Sequence, residues 1–147
     1  MAHTAQELTI GQVAERTGMS VHALRLYERE GLLVGPVRRL SNGRRAYTES
    51  DVEWLLNCIK FRASGMPLAT IRRFAELVRG GSGNEADRLA ILRQHQEQVV
   101  QQITELTECL NLITRKVAAY EEHVARGGTQ DLWAATVPPG TEAPAAG

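Results

Sequence analysis

Between Asn84 and Arg126, apolar side chains recur at alternating steps of three and four: Leu89, Leu92, Val99, Ile103, Leu106, Leu110, Ile113, Val117, Tyr120 and Val124, with Gln96 the polar member of the seam. A 3-4 pattern held over five heptads specifies a coiled coil. At 1.5 Å per residue a helix over 84–126 is about 65 Å long. No small domain can cover a stripe of that length. A partner is required, and a second copy of the same chain is the economical one. In a chain of 147 residues, this leaves room for one compact domain ahead of the helix, over residues 8–79. Gly80-Gly81-Ser82-Gly83 reads as the linker between the two.

The preceding domain opens with two short helices around a tight turn. Thr9 is a good N-cap, Gln12 completes a capping box, and Leu8 with Val13 forms a hydrophobic staple. Gly18 breaks the first helix, Ser20 caps the second and Gly31 ends it. Such a pair is a helix-turn-helix, whose second helix commonly enters the DNA major groove. Ala23, Leu24 and Tyr27 are spaced to pack on Ile10, Val13 and Ala14, while His22, Arg25, Leu26 and Arg29 line the opposite face. Arg25 is the natural candidate for a guanine edge. A helix with two arginines is also what an ordinary solvated face looks like.

The next segment tips the balance toward DNA. Asn42-Gly43 is a preferred pair for a two-residue type I′ hairpin turn, with short β-capable segments on either side. Arg38, Arg39, Arg44 and Arg45 crowd around it, with no acid between Pro36 and Tyr47. Four guanidiniums on one ribbon repel one another unless a phosphate backbone neutralises them. The zero formal net charge hides the same asymmetry: up to Gly80 there are 12 Lys/Arg against 8 Asp/Glu, and beyond it 5 against 9. A basic half joined to an acidic one points to nucleic-acid binding by the first.

Thr48 and Asp51 signal the start of a third helix running to about Ser64, with Gly65 at its end. It carries two apolar stripes, Val52-Leu55-Leu56-Ile59 and Trp54-Cys58-Phe61, the second expected to pack on a following helix or on a partner subunit. Pro67 opens a fourth helix over Leu68 to Val78, with Leu68, Ile71, Phe74, Ala75 and Val78 facing inward. Lys60, Arg62, Arg72 and Arg73 decorate the pair. After Gly127-Gly128, the tail over 127–147 is rich in Pro, Ala, Thr and Gly and is expected to be mostly disordered. Leu132 and Trp133 in it either dock on an apolar groove or stand free. The fold class is therefore all-α with a small β wing.

Thr9 to Arg79 resembles the N-terminal winged helix-turn-helix of the MerR family of bacterial transcription regulators. The matching segments are I-G-Q-V-A, L-R-L-Y-E-R-E-G-L-L, the wing N-G-R-R-A-Y with T-E-S-D-V after it, and F-R-A-S-G-M. Leu26 stands where the family usually has the first of two tyrosines, and Arg44 where it usually has a tyrosine in the wing. The resemblance implies a homodimer paired through an antiparallel coiled coil. It binds an inverted-repeat element in double-stranded promoter DNA, distorts it in response to an effector, and works beside RNA polymerase. It implies DNA contacts from His22, Arg25, Leu26, Tyr27, Arg29, Arg38, Arg39, Asn42, Arg44, Arg45 and Tyr47, with Lys60 and Arg62 on flanking phosphates. An architectural, excisionase-like DNA-binding protein is the alternative, since it too uses a winged helix.

No catalytic constellation is present: the four histidines are scattered, and the glycine-rich segments lack the context of a phosphate loop. Metal-sensing relatives place cysteines early in the dimer helix and in a loop after it. This sequence has none between Gly127 and Gly147, so neither a metal nor a cofactor is expected. About twenty residues follow the coil, too few for an effector domain. Some relatives sense aldehydes or thiol-reactive agents through a cysteine in the third helix. That makes Trp54, Cys58 and Phe61, with Trp133, the candidate effector site, against the ordinary reading of Cys58 as an inert core residue. No apolar run is long enough to span a membrane and no signal-peptide pattern opens the chain, so the cytoplasm is the expected location.

Overall fold

The computed structural model describes residues 6–135. Its elements are helices α1 (Ile10–Thr17) and α2 (Val21–Arg29), strands β1 (Arg38–Arg39) and β2 (Arg45–Ala46), and helices α3 (Glu49–Ala63), α4 (Leu68–Arg79), α5 (Glu85–Ala125) and α6 (Leu132–Ala135). Residues up to Val100 pack as one compact unit and those from Gln101 as a second.

In the first unit the helix ends follow from local chemistry. Thr9 and Gln12 form a reciprocal capping box on α1, and Gly18 leaves it at φ +75°. Thr48 and Asp51 cap α3 in the same way. Asp51 is buried, and a β-carbon on Gly35 would crowd its carboxylate, so a larger residue there would have to displace the side chain that caps α3. Val13, Leu24, Leu32, Tyr47, Leu55, Met66 and Ile71 form the core.

The two stripes of α3 meet different fates. Trp54 stacks on Phe74 of α4 at 5.9 Å between ring centroids, and Phe61 meets the same ring edge-on at 6.2 Å. The Trp54 indole N–H donates to the Leu32 carbonyl at 2.7 Å. This second stripe is thus covered within the chain. Leu56, expected in the first stripe, is instead 43% exposed. With α3 held between α1 and α4, the sector between those contacts faces out.

The hairpin forms, but its turn differs from expectation. The Gly43 N–H donates to the Leu40 carbonyl at 2.9 Å and the Leu40 N–H to the Arg44 carbonyl at 2.7 Å, closing a three-residue loop over Ser41, Asn42 and Gly43. A type I′ turn needs positive φ at both central residues. Here Gly43 is at +81° and Asn42 is not positive. Arg38 pairs with Ala46 and Arg39 with Arg45. The ribbon is anchored from its other side, where the Leu8 N–H donates to the Tyr47 carbonyl and the Tyr47 N–H to the Leu8 carbonyl.

The glycine-rich segment expected as a linker is a tied turn. Arg88 donates to the carbonyls of Gly81 at 2.6 Å and Leu77 at 3.2 Å, and the Asn84 amide to the Leu77 carbonyl at 2.7 Å. Farther along α5, His95 lies edge-on to Phe61, and its Nε2 is 2.7 Å from the Ser64 hydroxyl. No residue of α5 is buried.

In the second unit the apolar seam is open. Ile103, Leu106, Leu110, Ile113, Val117, Tyr120 and Val124 are all exposed. Within the tail expected to be mostly disordered, Leu132–Ala135 makes one helical turn, started by the Asp131 carboxylate accepting from the Trp133 N–H at 3.0 Å. The Lys116 ammonium stands 4.9 Å from the centre of the Trp133 ring, a cation–π contact. The rest of that expectation, beyond Ala135, lies outside the described residues.

Candidate nucleic-acid interface

The second helix of the pair presents one polar face. Ser20 caps it by accepting from the Ala23 N–H at 3.0 Å, while Leu24 and Tyr27 turn into the core. His22, Arg25 and Arg29 are exposed and Leu26 is half-buried, four positions that share a face at helical spacing. Tyr27, a candidate for DNA contact, is only 7% exposed. It belongs to the core, and burial raises its phenol pKa.

The wing sorts its arginines. Arg38, Arg39 and Arg44 are exposed, as is Asn42, whose side-chain oxygen accepts from the Arg44 N–H at 3.0 Å. Arg45 is different: it is 8% exposed, its Nη1 lies 3.3 Å from Glu28 Oε1, and its guanidinium sits 5.5 Å from the Tyr47 ring centre. The ribbon therefore does not carry four unpaired guanidiniums, because the acid that pairs one of them comes from α2. Tyr47 is fully buried, with its hydroxyl pKa raised by burial and by Glu28. Arg45 and Tyr47 are both buried in the free protein, whereas Arg38, Arg39, Asn42 and Arg44 are open. Glu28 was invisible from the hairpin sequence because its partner lies 17 positions away.

Between α2 and the wing lies a cleft of about 320 Å³ lined by Arg25, Arg39, Arg44 and the Glu28–Arg45 pair. Cations so placed neutralise phosphate charge, and an arginine on the helix face can present two donors to a guanine edge. Lys60 and Arg62 on α3 are also exposed, though Arg62 donates to the Met66 carbonyl at 3.0 Å. Arg72 is committed to bracing, since it donates to the carbonyl and carboxylate of Glu30 at 2.7 and 2.6 Å. Arg79 likewise donates to the Gly31 and Leu33 carbonyls. These two arginines clamp the exit of α2, an arrangement that helical periodicity in the sequence does not reveal.

Of the candidate effector residues, Trp54, Cys58 and Phe61 lie in or against the core of the first unit. Trp54 and Cys58 are buried with Phe61 beside them, whereas Trp133 stands over Lys116 in the second unit. Burial pushes the Cys58 thiol up to about 12. Only thiolate reacts, so at neutral pH this sulfur is both covered and protonated. In a Cys109→Ser background, Cys58 should resist a disulfide reagent until the protein unfolds, the labelling rate tracking denaturant-induced opening. Rapid labelling of the native protein would revive the thiol-sensor reading. Among the described residues, no group of three or more His, Cys, Asp or Glu side chains is placed to hold a metal ion.

Comparison with known proteins gives a consistent result. The family model described as MerR HTH family regulatory protein matches residues 8–77, and a second, described as MerR, DNA binding, matches residues 52–115. An uncharacterized HTH-type transcriptional regulator of Haemophilus influenzae is 37% identical over 124 residues, covering 83% of this chain and 90% of that protein. The structure of HiNmlR, described as a MerR family regulator lacking the sensor domain and bound to promoter DNA, superposes with a TM-score of 0.73 at 34% identity. The match covers 84% of this chain and 97% of that one. A MerR family regulator described as putative, from Listeria monocytogenes, gives 0.76 at 26% identity, over 82% of this chain and 90% of its own.

Proposed function

This chain belongs to the MerR HTH family of regulatory proteins, and on that footing we propose how it regulates. It acts as a homodimer, paired antiparallel through the seam of α5. The dimer binds an inverted-repeat promoter element, distorts it in response to an effector, and works beside RNA polymerase. Residues 8–79 form the reading head and 84–126 the dimerisation element. Within the head, His22, Arg25, Leu26 and Arg29 face the major groove, and Arg38, Arg39, Asn42 and Arg44 meet backbone phosphates, with Lys60 and Arg62 on flanking ones. The single observation that carries this reading is the cleft where exposed guanidiniums of α2 and of the wing stand together. HiNmlR, which is similar over most of its length, is bound to promoter DNA, and that supports the reading.

The test uses a duplex enriched from a random-sequence pool by the wild-type protein, with a scrambled duplex as reference. Arg25→Ala should cost about 1–3 kcal/mol on the enriched duplex and less on the scrambled one, because base-edge bonds are made only at the specific site. Equal losses on the two duplexes would remove Arg25 from that role. A nuclease footprint with two symmetric halves would support the dimer, and a single unpaired footprint would count against it.

A further inference from the structure

We infer that Glu28, Arg45 and Tyr47 form a lock that sets the wing against the recognition helix, so that Arg45 acts on DNA as a positioning residue and not as a phosphate ligand. This deepens the DNA-binding reading above and rests on it.

Three observations carry it. Arg45 lies in the most basic stretch of the chain yet has a side chain only 6% exposed, whereas its neighbour Arg44 is open. Its guanidinium is held from two directions, by the Glu28 carboxylate on α2 and by the face of the Tyr47 ring. Glu28 lies one turn beyond Arg25 on α2, and Arg39 faces Arg45 across the hairpin. The pair thus ties together the two elements whose exposed arginines share the cleft.

Charge makes the same case. An acid among four arginines repels phosphate and by itself weakens binding to any DNA. Glu28 is useful in this place only for what it holds. The pair is also unlike the exposed Arg16–Glu49 and Arg72–Glu30 bridges, which are half open to water. Removing one member of a shielded pair leaves the other charge uncompensated, and it relocates. Glu28 supplies the one hydrogen-bonded ion pair to the guanidinium, and the Tyr47 ring face supports it from the other side. Once Glu28 is lost, the wing loses its registration on α2, and Arg25 and Arg44 no longer reach their targets together. Binding that depends on simultaneous contacts suffers first.

The test measures affinity for the enriched and scrambled duplexes across a salt series, with Arg44→Ala, Arg45→Ala, Glu28→Gln and the Glu28→Gln/Arg45→Ala double variant. A phosphate ligand, when removed, weakens both duplexes alike and lowers the salt slope by about one, which is the result expected for Arg44→Ala. For Arg45→Ala the expected result is a loss on the order of tenfold on the enriched duplex, little change on the scrambled one, and an unaltered slope. Glu28→Gln is isosteric and keeps the fold readable. It should lose a similar factor on the enriched duplex although the protein has become more positive. The double variant should be no worse than the worse single one, since both remove the same lock. A fall of one in the slope for Arg45→Ala, or tighter binding to both duplexes by Glu28→Gln, would make Arg45 a phosphate ligand and overturn the proposal. A wild-type protein that enriches no sequence would sink the DNA-binding reading itself, an outcome visible before any variant is made.

Discussion

Leu106→Lys should leave the protein folded in its reading head, monomeric, and weaker on its specific duplex by about a hundredfold or more. Leu106 lies mid-seam and is 68% exposed, with Ile103 and Leu110 exposed one turn to either side. Burying a leucine contributes roughly 1.5–3 kcal/mol. A lysine there forfeits that and carries an ammonium into an apolar interface, once on each chain. Two heads joined through a dimer bind the second half-site at an effective concentration in the millimolar range, and losing that link costs roughly a factor of 10² to 10⁴. Analytical ultracentrifugation and the same binding assay check the two halves of the claim. A Leu106→Lys protein that still sediments as a dimer means that the seam is not the pairing surface.

Trp54→Ala should destabilise the reading head by about 3–5 kcal/mol, the range for removing a large aromatic from a packed core. The indole does two jobs: it stacks on Phe74, and its N–H satisfies the carbonyl of Leu32, the residue that follows the α2 exit. Trp54→Phe separates them, since it keeps a ring for Phe74 and abandons the hydrogen bond. It should cost about 1–3 kcal/mol, the penalty for a buried acceptor left unpaired. Urea unfolding at one fixed protein concentration reads both, because the stability of a dimer depends on concentration. A loss under about 1 kcal/mol for the alanine variant would mean that the stack contributes little.

Where the sequence was informative, the cause was local. Thr9 with Gln12 and Thr48 with Asp51 form capping boxes because both halves of the motif lie three residues apart. The heptads declared α5 for the same reason: a 3-4 step is a property of one helix. The hairpin depends on distant contacts. Asn42-Gly43 favours a two-residue turn in isolation, but here the register is set by the pairing of Leu8 with Tyr47 and by the strands beyond it. Two-residue strands carry no period, so nothing in R-R-A-Y distinguishes the arginine that turns inward from the one that turns out. The contacts that decided it, from Glu28 and Tyr47, come from tertiary packing. Trp54 and Phe61 share a stripe by helical spacing, but spacing does not say what covers it; Phe74 of α4 does. Burial of Cys58, and with it the inertness of its thiol, follows from that same packing.

The tied turn at the base of α5 bears on how the chain resists proteases. A run of glycines between two helices is ordinarily the first place a protease cuts. The trypsin sites on its two sides are Arg79 and Arg88, and both guanidiniums are spent on backbone carbonyls: Arg79 on Gly31 and Leu33, Arg88 on Leu77 and Gly81. To enter a protease pocket, Arg88 must first abandon the bonds that hold the turn, and Arg79 those that clamp the exit of α2. Limited trypsin digestion should therefore spare this segment while exposed basic sites such as Arg38, Arg39 and Arg44 in the wing are cut, and early release of an intact fragment ending at Arg79 would show that the clamps open readily.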